Sequence, residues 1–198
     1  MLAGAVLIAL AWWYIAPQNT SIANYPSHGT DIIAFGDSLV AGEGSDSGKD
    51  FVSLLSEQIG KPIINLGVSG NTTAQGLARI GDIDGYQPKV VLLLLGGNDY
   101  LQHVDPATTF SNLSQIIEHI QSHGAIVLLL GIRGGVLSDP FKSQFERLRD
   151  QYHTAYVSDV LGGLFGNSDL MSDEVHPNDQ GYALIANRIY PVLDSLLN

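Results

Sequence analysis

The stretch Asp31-Ile32-Ile33-Ala34-Phe35-Gly36-Asp37-Ser38-Leu39 decides how the chain is read. Its first half is an apolar run of strand type that breaks off in Gly36-Asp37-Ser38. Open α/β sheets place their chemistry at such points, where a strand ends and the chain turns into a helix. A serine on that turn has a free hydroxyl with helix-start N–H groups beside it. Ser38 therefore reads as a candidate nucleophile. A plain helix cap is the competing reading, because serine is a preferred cap residue. What the rest of the chain brings to Ser38 decides between them.

Downstream, strand and helix patterns alternate. Phe51, Leu54, Leu55 and Ile59 recur at helical spacing before Gly60, and Ile63 to Leu66 is a short second strand. Ala74 to Ile80 reads as a short helix. Lys89 to Leu95 is the strongest strand, and its unbroken apolar run predicts burial on both faces at the centre of a parallel sheet. A helix from about Pro106 carries Phe110, Leu113, Ile116, Ile117 and Ile120 on one face and stops at Gly124. Ala125–Leu130 and His153–Ser158 complete five strands, with a helix over Pro140–Gln151 between them. The last helix lines up Tyr182, Ile185, Ile189, Leu193 and Leu196. This alternation predicts one doubly wound α/β domain over residues 30–198.

Two segments precede that domain. Residues 1–16 are uncharged and almost wholly apolar, ending in Trp12-Trp13-Tyr14-Ile15-Ala16. The run is shorter than the ~20 residues of an untilted membrane span. It lacks a basic start, and Pro17 follows Ala16. A signal-anchor or an export signal fits it, with the aromatic cluster suited to a membrane interface. Both place the domain in the cell envelope, periplasmic or membrane-anchored, or outside the cell. Residues 17–29 read as a polar linker.

Composition narrows the function. With 198 residues, 45% hydrophobic and 15% charged, the chain is globular. A formal net charge of −11 argues against nonspecific nucleic-acid binding, which needs a basic footprint, so nucleic acid is not an expected partner. The absence of cysteine removes disulfides, thiolate metal sites and a cysteine nucleophile.

The strand-end loops carry the remaining signal. In a parallel sheet they gather on one edge. Ser38 follows strand one, Gly70 strand two and Asn98 strand three, while Asp173 and His176 precede the last helix. Acyl transfer needs a hydroxyl, a base, a carboxylate to orient that base, and donors for the oxyanion. The spacing Asp173-Glu174-Val175-His176 lets a turn point the carboxylate and the imidazole the same way. The second ring nitrogen is then free to face Ser38.

These blocks resemble the SGNH (GDSL) hydrolase superfamily, in its arylesterase/lysophospholipase/acyl-thioesterase branch. The matching stretches are Phe35–Leu39, Gly67–Thr73, Gly96–Asp99 and Asp173–Asn178, in the family's order, and Gly70–Arg79 is typical of the branch. The resemblance covers roughly residues 30 to 198. It implies a flavodoxin-like three-layer α/β/α sandwich with a five-stranded parallel sheet of order 2-1-3-4-5. It also implies Ser38 as nucleophile, His176 as base and Asp173 as its orienter, with an oxyanion hole made by Ser38 N–H, Gly70 N–H and the Asn98 side-chain amide.

The expected function is a serine esterase acting on short-chain or aryl esters, with thioesters and lysophospholipids as further substrates, so the partner is a small ester or lipid. A carbohydrate O-deacetylase or acetyltransferase could use the same constellation, and a silent membrane-tethered binding protein is the remaining alternative. Tyr100-Leu101-Gln102 and Val136-Leu137 are candidate pocket loops, apolar enough to favour acyl or aryl groups. Asp37 and Asp99 are expected to stabilise loops through side-chain to backbone bonds. Asp169 is the rival orienter, seven residues before His176. His28, His103, His119, His123 and His153 have no paired-carboxylate motif, so neither a metal nor a cofactor is expected. Gly42–Asp50 fails as a phosphate loop in its glycine spacing, and no Gly-x-Ser-x-Gly elbow exists.

Overall fold

Strand β3 (Pro88–Leu94) has Val90 to Leu93 without any solvent exposure, as its unbroken apolar run requires. It pairs in parallel with β1 (Asp31–Gly36) on one side and β4 (Ile126–Leu130) on the other. β2 (Ile63–Gly67) extends the sheet beyond β1, and β5 (Ala155–Val157) extends it beyond β4. The order is β2-β1-β3-β4-β5 with every pair parallel, as expected. The computed structural model describes residues 22–133 and 140–198. The apolar segment 1–16, linker residues 17–21 and the pocket residues Val136 and Leu137 lie outside the described residues.

Helices cover both faces. α1 (Ser38–Ala41) and α2 (Phe51–Ile59) follow β1, and α7 (Asp179–Leu197) packs against α2. α3 (Thr73–Ala78) packs on α5 (Pro106–Ser122), which in turn contacts α6 (Pro140–Tyr152). α4 (Gly97–Leu101) is one short turn after β3. The result is a three-layer α/β/α sandwich. Phe51, Leu55, Ile185, Ile189 and Leu193 fill one layer interface; Leu113, Ile116, Ile117, Ile120 and Phe145 fill the other.

Among the differences from the sequence reading, three have a local reason. The helix expected to reach Ile80 stops at Ala78, and a 3-10 turn over Ile80–Gly85 carries the chain to β3. β5 keeps only three of its expected six residues, because it pairs on one side only. The described part of the linker is strapped down: Ala23 N–H donates to His153 O at 2.9 Å, and Ser27 Oγ donates to Gly124 O at 2.8 Å.

The order reverses between β1 and β3: the chain leaves β1 toward β2, then returns across it to β3. Ligand sites in open α/β sheets sit in the crevice beyond the carboxyl ends of the strands at such a reversal. Truncating the central strand should cost accordingly. Leu92→Ala is expected to lose about 2–5 kcal/mol in urea denaturation, because Leu92 is fully buried and its packed neighbours can fill the vacated space only in part.

Candidate active site

Asp37 follows β1 and caps α1, its carboxylate accepting the Leu39 N–H at 3.0 Å. Ser38 is the first residue of that helix and is 8% exposed. The capping is therefore done by Asp37, which leaves the Ser38 hydroxyl for other work. Across the crevice, Asp173 folds the loop before α7 on itself: its Oδ1 accepts the N–H of Val175 and of His176, both at 2.7 Å. Its Oδ2 meets His176 Nδ1 at 2.8 Å. The imidazole's other nitrogen, Nε2, lies 3.1 Å from Ser38 Oγ.

The loop that delivers His176 is braced from three directions. Met171 bridges to Pro177, and Ser172 N–H donates to His176 O at 2.9 Å. Asn178 caps α7 through its Oδ1 and donates from Nδ2 to Asp169 O at 3.0 Å. Asp169, the rival orienter, thus contributes a backbone carbonyl to the loop. The stretch Gly42–Asp50, which fails as a phosphate loop, braces the same region. Tyr182 Oη donates to Glu43 O at 2.7 Å, and Asp46 N–H donates to the Asp179 carboxylate at 2.8 Å. Gly44 (φ +90°) lies so close that a Cβ would sit 2.3 Å from Ser172 Oγ and 2.6 Å from Pro177 O.

Gly70 adopts φ +79° with open space around its Cα, so backbone conformation, not crowding, calls for glycine there. Asn98, in α4, donates from Nδ2 to Asn71 O at 3.0 Å. A primary amide has two N–H donors, so one remains for a ligand. The structure thus gathers Ser38, Gly70, Asn98, Asp173 and His176 at the carboxyl edge of the sheet. Asp99 is fully buried and accepts from Thr73 N–H at 2.8 Å and from Thr109 Oγ1 at 3.3 Å, the stabilising role expected of it.

One organising residue escaped the motif reading. Arg79 donates from Nη2 to Gly36 O at 2.7 Å and from Nε to Asn71 Oδ1 at 2.6 Å, with its guanidinium 4.1 Å above the Phe35 ring. It joins the Ser38 loop to the Gly70 loop. Arg79 stands in the quoted block, but nothing in sequence spacing reveals which carbonyl it reaches.

A cavity of about 540 Å³ opens beside Ser38 and Asn98. Its walls include Tyr100, Leu101, Ile132, Leu161, Phe165 and Val175. Tyr100 and Leu101 belong to the expected pocket loop; the other four were not anticipated. Tyr100 stands edge-on to the buried Phe141 ring, centroids 5.7 Å apart. Arg133 and Asp159 pair at 2.9 Å on the lining.

Electrostatics separate the two carboxylates. Three hydrogen bonds, led by that from the His176 ring, lower the Asp173 pKa to about 2, so it stays ionised through the neutral range. Asp37 goes the other way. Burial raises it to about 7, opposed by the Leu39 N–H and the field of His176.

A serine, an imidazole and an oriented carboxylate at the switch point of a five-stranded parallel sheet define a serine hydrolase built on a doubly wound fold. The chain belongs to the GDSL-like lipase/acylhydrolase family, whose profile matches residues 34–184. It is therefore an enzyme that hydrolyses ester bonds. It is 31% identical over 178 residues to Esterase TesA of Pseudomonas aeruginosa, covering 84% of this chain and 89% of that protein. It is 29% identical to the Thioesterase 1/protease 1/lysophospholipase L1 of Escherichia coli K12, covering 84% and 85%. A crystal structure of TesA superposes with a TM-score of 0.79 at 30% identity, covering 84% of this chain and 99% of that one.

The raised Asp37 pKa carries a stability signature. The folded state holds this proton more tightly than the unfolded state, so the stability contributed by this group is full below about pH 4 and is lost as pH rises to about 7. Asp37→Asn keeps the cap acceptor and removes the titration. Its stability relative to wild type should rise across that window, by on the order of 4 kcal/mol, in urea melts at stepped pH. A constant difference across the window would refute this.

Proposed function

We propose that Ser38, His176 and Asp173 form the catalytic triad, and that Ser38 N–H, Gly70 N–H and Asn98 Nδ2 form the oxyanion hole. The observation that carries the reading is the unbroken relay from Asp173 Oδ2 through both imidazole nitrogens to Ser38 Oγ, at 2.8 and 3.1 Å. Ser38 Oγ attacks the acyl carbonyl while His176 Nε2 takes its proton. Asp173 holds Nδ1 protonated and offsets the imidazolium charge. Negative charge developing on the carbonyl oxygen is met by the three donors. His176 returns the proton to the leaving group, then activates the water that releases the acid from Ser38.

The apolar cavity points to acyl chains or aryl groups as the part of the substrate held beside the nucleophile. Thioesters and lysophospholipids belong to the proposed range as well, since the Escherichia coli relative is named for both. The apolar segment 1–16 supports work in the cell envelope or outside the cell, and a membrane-fractionation experiment with N-terminal sequencing tests it. Among the described residues no helix is long and apolar enough to cross a membrane.

Turnover of p-nitrophenyl butyrate and labelling by a fluorophosphonate are both expected to vanish in Ser38→Ala, and turnover in His176→Ala. Labelling of Ser38→Ala at the wild-type rate would sink the assignment. Asn98→Ala should lower kcat by roughly 10²–10³; a change confined to KM would make Asn98 a binding residue only. Along a p-nitrophenyl ester series, kcat/KM should climb about fourfold per CH₂, from ~0.8 kcal/mol of burial each, until the cavity fills. A flat series would place the acyl chain outside the cavity.

A further inference from the structure

We infer a second site, for a divalent transition metal of the zinc class, built from Asp84, His119 and His123. One donor atom from each of the three lies within 4.8 Å of the others. His119 and His123 are separated by four residues at the end of α5, so their rings stand on the same face, centroids 4.7 Å apart. The 3-10 turn supplies Asp84, whose Oδ1 is 2.8 Å from His119 Nε2 and 3.3 Å from His123 Nε2. Sequence spacing gave these histidines no carboxylate because the partner lies thirty-five residues away from His119.

Four features make this a metal geometry and more than an ordinary ion pair. Tetrahedral zinc with bonds near 2.0–2.1 Å holds its ligand atoms about 3.3 Å apart; His123 Nε2 is already at that distance from Asp84 Oδ1, and His119 Nε2, at 2.8 Å, needs only a small outward shift. His123 Nδ1 lies 2.9 Å from His119 O, which fixes that nitrogen as the donor and turns the Nε2 lone pair toward Asp84. His123 caps the carboxyl end of α5, where the helix dipole favours a cation. All three side chains are partly exposed, so water can complete the coordination shell.

The role is structural. The 3-10 turn leads into the start of β3 and α5 leads into the start of β4, so the cluster sits at the amino edge of the sheet, across from Ser38 and His176. Bound there, the ion ties together two connections that otherwise meet through side chains alone. Two imidazoles and one carboxylate select zinc, nickel or copper over magnesium and calcium, which prefer all-oxygen shells.

The test is zinc titration of the chelator-treated full chain by calorimetry, beside Asp84→Asn and the His119→Gln/His123→Gln pair. Wild type is expected to bind one equivalent at sub-millimolar concentration, with Tm rising by roughly 5 °C under excess zinc. Each variant should lose at least about tenfold in affinity, the lower end of what even an outer-shell partner is worth. Nitrogen-15 spectra should show zinc moving Nε2 of His119 and His123, with magnesium and calcium silent. Zinc bound to His176 would be common to wild type and variants, so only their difference counts. Equal zinc affinity in wild type and both variants, or no binding in wild type, overturns the proposal, and neither outcome touches the esterase reading.

Discussion

Ser38 Oγ and His176 Nε2 meet at 3.1 Å although 138 residues separate them. No local structure can hold such a contact, so the fold must. Five parallel strands do this by sending every strand end to one edge, where the loop after β1 and the loop before α7 face each other. The contact tolerates little error, since a catalytic hydrogen bond weakens beyond about 3.2 Å. The polar bracing around it follows from that tolerance. Tyr182 on Glu43, Asp46 on Asp179 and the Ser172–His176 backbone bond all act on the two sides of this one distance.

The proposed oxyanion donors pose a different problem. They come from three connections that share no backbone. Arg79 ties the first to the second through Gly36 O and Asn71 Oδ1, and Asn98 ties the third to the second through Asn71 O. Asp99 then anchors α4 beneath Asn98 to Thr73 and Thr109. Donors fixed before substrate arrives cost no reorganisation when charge develops.

This division explains what the sequence made legible. β3 was plain because burial on both faces writes an unbroken apolar run, and Ser38, Asp173 and His176 were plain because their chemistry restricts residue type and, for the last two, spacing. β5 was overextended because an edge strand pairs on one side and ends where its neighbour does. The pocket was visible only in part: Tyr100 and Leu101 follow directly from a motif loop, whereas Ile132, Leu161 and Phe165 come from connections after β4 and β5 that carry no motif. Arg79 and Asp84 stayed hidden for one reason. Arg79 reaches Gly36 O forty-three residues back and Asp84 reaches His119 thirty-five residues on, so neither pairing has a spacing to be recognised by.

The two edges of the sheet consequently carry opposite demands. At the carboxyl edge Asp37 is buried with its pKa raised to about 7, so ionising it beside Ser38 costs stability. The amino edge carries straps: residues 23 and 27 bonded to the turns entering β4 and β5, and Asp84 joined to two histidines at the end of α5. A parallel sheet transmits register along its strands as rigid rods. Fixing where β3 and β4 begin therefore fixes where they end, and β3, ending at Leu94, leads directly into Gly96–Asn98. Contacts at the amino edge thus add to the stability against which the buried Asp37 carboxyl at the other edge is held.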